Sequence, residues 1–147
     1  MYSKEYENNK HKYTFMRNRN YKELKLYPQD GCTEISSSGF WDDPDLDSEN
    51  SFGTLTIHKG FTTIGALAFF GNTKLTTIYL PSTLTSVDGF AFMGLGTVKG
   101  REVKVYYEGT KEQLSELNPN VWLSCTKIQC SDTNGLIAPW LDIININ

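Results

Sequence analysis

Any chemistry in this chain would have to come from two histidines, three cysteines and one dense run of carboxylates. His11 lies in a polar stretch and His58 follows an alternating apolar run; neither has a Cys or carboxylate at a metal-ligand spacing. Cys125 and Cys130 have no second pair to complete a tetrahedral site, and Cys32 stands far from both in the chain. An odd cysteine count is no disulfide framework, so free thiols are the simpler expectation, Cys130 as a structural or idle one. The carboxylates are Asp42, Asp43, Asp45, Asp47 and Glu49, set beside Trp41, Leu46 and Phe52. Three readings stay open for them. They could form a solvated acidic loop, or an acidic recognition loop for a basic partner with Trp41 as its apolar anchor. The alternation Asp43-x-Asp45-x-Asp47 could also converge on Ca²⁺, but Ser48 replaces the usual Gly and no Glu closes the loop, so no metal is expected. There is no G-x-S-x-G, P-loop or H-E-x-x-H, and Gly94, Gly96 and Gly100 lack the following Lys-Ser/Thr of a phosphate loop. Neither an enzyme nor a cofactor is expected.

The elements that would position these residues are organised by a repeat. Ile57 recurs as Leu80, Ile64 as Val87, Gly65 as Asp88, Ala68 as Ala91 and Phe69 as Phe92, each at a step of 23 residues. A period in the twenties, with one short β-like run per unit, marks a solenoid whose units cannot bury their apolar edges alone. Leu55-Thr-Ile57 and Ile78-Tyr-Leu80 alternate as strands do. Ile64 and Phe69 are expected to enter the core from the opposite wall, with Phe69 and Phe92 stacked one repeat apart.

The run from Ile64 to Phe92 resembles the BspA-like leucine-rich repeats, whose units read roughly I-G-x-x-A-F-x-x-C-x-x-L-x-x-I-x-L-P-x-S-V-x-x-I-G-x-x-A-F. Ile64, Gly65, Ala68, Phe69, Leu75, Ile78, Leu80, Pro81, Ser82, Val87, Ala91 and Phe92 fall on that pattern. VYYEGTKEQLSELNPNVW (105–122) and IQCSD (128–132) resemble the segment that often closes such arrays. The departures are Asn72 for a small or Cys residue, Asp88 for the second Gly and Leu114 for a Trp. The resemblance implies a strand-rich α/β fold, a short right-handed leucine-rich-repeat solenoid, and a role in adhesion or host-protein contact.

Size and charge fit one domain spanning 1–147. The expected divisions are a polar arm (1–12), a hairpin with a divergent first repeat and the acidic insertion (13–53), leucine-rich repeats (54–107) and a C-terminal helix-and-strand cap (108–147). The 14 basic residues nearly balance the 17 acidic ones, which is no nucleic-acid signature. Residues 1–27 hold seven Lys/Arg against three acids, whereas 28–60 hold one against seven. No stretch is apolar enough for membrane insertion. The polar start at Met1 leads to a cytoplasmic expectation; a removed signal peptide would instead put the protein at the cell surface.

Along the chain, YTFM and YKELKLY are β-prone and separated by Asn-containing turn residues, so a hairpin is expected there. Leu24 and Leu26 stand as Leu55 and Ile57 do, which makes the second arm the first rung. Val103 and Val105 form a later rung, and Thr110 is the expected N-cap of a helix with Leu114 and Leu117 facing inward. Trp122 and its neighbours should cover the open end, and the apolar tail after Gly135 should pack back on the body.

Repeat register then lines up outward residues. Lys25, Thr56, Tyr79 and Lys104 make one expected column, Tyr27, His58, Pro81 and Tyr106 the next, and Glu23, Thr54, Thr77 and Glu102 a third. Aromatics with polar tips flanked by Lys and Glu suit the centre of a protein interface, though tyrosines also suit any strand surface. The expected partner-binding residues are therefore Lys25, Tyr27, His58, Tyr79, Lys104 and Tyr106, edged by Trp41, Asp42, Asp43, Asp45 and Asp47. An adhesin, an intracellular inhibitor or effector (for instance phage-encoded) using its acidic loop, and a virion or appendage component all fit a protein-binding module of unnamed partner.

Overall fold

The protein is described from a computed structural model at residues 2–3, 14–15, 23–28, 33–35, 37, 53–70, 75–92, 102–117 and 125–138. Two parallel sheets make its walls. The first contains β3 (Glu23–Leu26), β5 (Thr54–Ile57), β7 (Thr77–Leu80), β9 (Lys104–Tyr107) and β10 (Lys127–Gln129), in the spatial order β10-β9-β7-β5-β3. The second contains β4 (Glu34–Ile35), β6 (Thr63–Ile64) and β8 (Ser86–Val87), in order of the chain. The architecture is thus strand-rich α/β with parallel pairing inside both sheets, consistent with a leucine-rich-repeat fold.

Alternation explains why these short runs are strands. In β5 and β7 the apolar residues Leu55, Ile57, Ile78 and Leu80 are buried, while Thr54, Thr56, Thr77 and Tyr79 are not. Four-residue strands bury too little to stand alone, so each depends on the ladder beside it. Leu55 pairs with Ile78 and Ile64 with Val87, both at the 23-residue step. Leu24 and Leu26 pair with Leu55 and Ile57, and Ile35 pairs with Ile64, which makes the divergent first repeat a full rung. Between the walls, Phe69 and Phe92 are buried and stacked, ring centroids 5.2 Å apart with planes at 8°.

Threonines tie successive repeats together in a way the sequence pattern does not announce. The Thr62 hydroxyl donates to the carbonyl of Thr33, that of Thr85 to Thr62 and that of Thr76 to Gly53, at 3.2–3.3 Å. The Thr83 hydroxyl donates to the Phe61 carbonyl (2.7 Å) and accepts from the Gly60 N–H (3.2 Å). Gly60 is required twice over there. Its φ is +110°, and an added Cβ would lie 2.6 Å from Cγ of Pro28.

A helix, α1 (Lys111–Ser115), follows β9. It opens with a complete capping box: the Gln113 N–H donates to Thr110 Oγ1, and the Thr110 N–H donates to Gln113 Oε1. Leu114 and Leu117 are buried as their spacing predicts. The closing segment is joined to this start, because the Lys111 N–H donates to Asp132 Oδ1 (2.9 Å) and the Ser131 N–H to the Gly109 carbonyl (2.9 Å). Ile137 makes an antiparallel bridge to Ile128, so this part of the tail does pack back.

Two expectations are corrected. Thr14–Phe15 (β2) pairs antiparallel with Tyr2–Ser3 (β1), and β3 pairs in parallel with β5, so the hairpin expected between 13–16 and 21–27 is not the pairing formed among the described residues. Both runs are β-prone, but the match of Leu24 and Leu26 to Leu55 and Ile57 draws β3 into the parallel ladder. The second correction is the β7–β9 register: Tyr79 pairs with Tyr106 and Thr77 with Lys104. The step is 27 residues, so Val105 and Tyr107 are the inward pair where Val103 and Val105 were expected; Val103 is buried just before the strand. A two-residue slip keeps each residue on its face, since side chains alternate with a period of two.

Candidate functional site

The corrected register changes which outward residues are neighbours. One column across the first sheet now reads Lys25, Thr56, Tyr79, Tyr106, Gln129, and the one before it Glu23, Thr54, Thr77, Lys104, Lys127. Tyr79 and Tyr106 stack directly, with centroids 4.9 Å apart and planes at 15°. That distance equals the spacing of adjacent strands, so the backbone ladder itself sets the rings in van der Waals contact. Tyr27 and His58, just past the ends of β3 and β5, form a second stack at 4.1 Å and 11°. The two pairs lie on different rungs and in different columns.

Both stacks line one groove of about 900 Å³ on the outward face of the sheet, together with Lys25, Thr56, Lys59, Glu108 and Gln129. Of the expected partner-binding residues, the structure brings Lys25, Tyr27, His58, Tyr79 and Tyr106 together there. Lys104 is separated from them: it stands in the neighbouring column, with Nζ 4.0 Å from Glu102 Oε2. Trp41, Asp42, Asp43, Asp45 and Asp47 lie outside the described residues, as does Trp122. Thr56, Glu108 and Gln129 were not named as binding residues in advance. Thr56 stood in a predicted column, but Gln129 enters only through the corrected register. Glu108 accepts a hydrogen bond from the Ser82 N–H (3.1 Å), which joins the turns that follow β7 and β9.

His58 Nε2 is buried and has no hydrogen-bond partner among the described residues. A buried ring nitrogen left unpaired is costly, and the stack on Tyr27 holds it in place. The two described cysteines offer no reactive group. Burial pushes the Cys125 thiol up to about 12. Cys130 is also pushed up to about 12, by burial first and by Asp132 second, with Lys111 opposing. Both thiols are therefore protonated at neutral pH. Among the described residues no group of three or more His, Cys, Asp or Glu could hold a metal ion. No helix among them is long and apolar enough to cross a membrane.

Stacked parallel rungs at a 23-residue step, buried aliphatics at fixed places and an aromatic outer face define a protein of the leucine-rich-repeat class. A family model described as the BspA type leucine rich repeat region (6 copies) matches residues 47–133, more than half of the chain. The protein belongs to that family. No curated protein and no solved structure matches it. The family suggests a protein-interaction module and is generally non-enzymatic.

Proposed function

We propose that this is a non-enzymatic protein-binding module, built as a short right-handed solenoid with a C-terminal helix-and-strand cap, that meets its partner with the aromatic groove of its first sheet. The observation that carries this reading is the pairing of stacked rings in one groove, with Tyr27 and Tyr79 still 48% and 42% exposed. Exposed rings backed by strands lose little side-chain entropy on binding, and their mixed character suits the centre of an interface. Inward positions are committed to packing, which leaves the sheet face as the wide rigid surface. Lys25 and Glu108 supply charged margins, and the acidic run Asp42–Glu49 would add long-range attraction for a basic partner. Family membership supports a protein-interaction module; within this reading, adhesion or contact with a host protein is the role we put first.

The test is affinity capture with the wild-type chain, followed by affinity measurement on Tyr79→Ala and Tyr106→Ala. Each substitution is expected to weaken binding of the captured partner by about 1–2 kcal/mol with the fold intact. Neutralising Asp42–Glu49 is expected to slow association and flatten its salt dependence. Normal binding by both tyrosine variants, together with loss of binding on deleting residues 1–12, would move recognition to the N-terminal arm and sink this reading.

A further inference from the structure

Of the two stacked tyrosines, Tyr79 is exposed and Tyr106 is not. Their places in the column explain the difference. Tyr106 has Tyr79 on one side and Gln129, a long side chain, on the other. Tyr79 has Tyr106 on one side, but on the other stands Thr56, too short to cover a phenol ring. Beyond Thr56, one strand further, stands Lys25. The column thus reads ring, ring, gap, cation, with adjacent positions separated by about 4.8 Å, the spacing of neighbouring strands. A planar group inserted over Thr56 would lie one strand spacing from Tyr79 and one from Lys25, and would extend the ladder that Tyr79 and Tyr106 begin. His58 stands two residues along the strand from Thr56 and bounds the gap from the side.

Charge decides which planar group fits. Among the described residues that line the groove the cations are Lys25 and Lys59, whereas Glu108 lies past the Tyr106 end and accepts from the Ser82 N–H. A guanidinium over Thr56 would face like charge from Lys25. An uncharged aromatic ring would instead present its electron-rich faces to Lys25 on one side and stack on Tyr79 on the other. We propose that the notch over Thr56 is the seat for one neutral aromatic side chain of the partner, held between the free face of Tyr79 and Lys25. This deepens the binding-module reading and rests on it.

The probe is N-acetyl-L-tryptophanamide, titrated into the full chain while amide chemical shifts of Thr56 and Tyr79 are followed by two-dimensional NMR. Saturable shifts with a dissociation constant on the order of 1 mM are expected. N-acetyl-L-leucinamide and N-acetyl-L-argininamide should bind at least about tenfold more weakly. Thr56→Tyr places a ring in the notch at a position where both residues favour a strand, so the fold should persist and the shifts should vanish. Thr56→Val, which leaves the notch open, should retain them. Equal binding of the leucine or arginine probe, or retention of indole binding by Thr56→Tyr, overturns the assignment. So does saturable binding of methyl β-D-glucopyranoside in place of the indole, which would make the occupant a sugar. If Tyr79→Ala loses the captured partner while Thr56→Tyr keeps it, the notch is wrong and the binding face stands. If the indole results hold but both tyrosine variants keep the partner, the notch takes small aromatics without being the partner's seat, and the proposal falls together with the binding face.

Discussion

Phe69 and Phe92 offer a quantitative check on the repeat register, because they are the same residue seen one repeat apart. Both are buried, and their rings lie nearly parallel at 5.2 Å. Truncating either to Ala removes a buried aromatic and should cost about 3–5 kcal/mol. A small domain holds only about 5–15 kcal/mol in all, so the double Ala variant would not fold reliably. Leucine is the better probe. It retains much of the ring's volume, so Phe69→Leu and Phe92→Leu should each cost about 1–1.5 kcal/mol, part of it the lost stack. Because each single variant already forfeits that stack, the double variant should be less destabilised than the two costs added, by about 0.5–1.5 kcal/mol. Equilibrium urea unfolding of the four proteins reads this directly, as midpoint shifts at constant slope. Additivity within about 0.3 kcal/mol would refute the stacked arrangement, since distant independent sites behave that way.

Three other outcomes follow from particular groups. His58→Phe keeps a flat ring on Tyr27 and removes the unpaired Nε2, so it should stabilise the chain by about 1 kcal/mol in the same urea assay; a loss of that size would mean the nitrogen has a partner. Gly60→Ala combines a positive φ with a clash against Pro28, and should destabilise by more than about 1 kcal/mol, which Pro28→Ala should partly relieve. The buried thiols give a pH dependence: an ordinary thiol near 9 in the unfolded chain is raised to about 12 in Cys125 and Cys130. The stability they contribute is therefore complete below pH 9 and is lost as pH rises toward 12, Tyr107 adding in the same sense because burial also raises its pKa. Unfolding midpoints measured from pH 8 to 11 should fall, and less so in a Cys125→Ala, Cys130→Ala chain.

Much of the framework was legible because chemistry and spacing agreed. Ile57 and Leu80, Ile64 and Val87, and Phe69 and Phe92 repeat both in type and at one step, so the β5–β7 and β6–β8 ladders could be read directly. The first rung was legible despite a 31-residue step, because Leu24 and Leu26 keep the alternation of Leu55 and Ile57. Thr110 announced the helix start. What misled was a local ambiguity: Val103, Val105 and Tyr107 alternate over five residues and all are buried, so two aliphatics looked like the rung when the true inward pair ends in Tyr107. The threonine ties were hidden for another reason. A Thr on a strand or turn reads as a β-former, and only the stacked backbone shows its hydroxyl reaching the carbonyl one repeat away.

The recognition face is more sensitive to step length than the core is. A step of 23 residues places like on like, and a slip of two leaves every apolar residue inside, so the core tolerates either register. The outer columns do not. With a 25-residue step Tyr79 would stand beside Lys104 and there would be no ring ladder; the 27-residue step sets Tyr106 against it instead. The same logic holds at the other edge, where the 31-residue step puts Lys25 level with Thr56 and brings Tyr27 onto His58. In this chain the connections between rungs, by their lengths alone, decide which side chains become neighbours on the sheet. Residues with no common sequence motif are thereby assembled into one groove, while the repeats beneath them keep a single packing pattern.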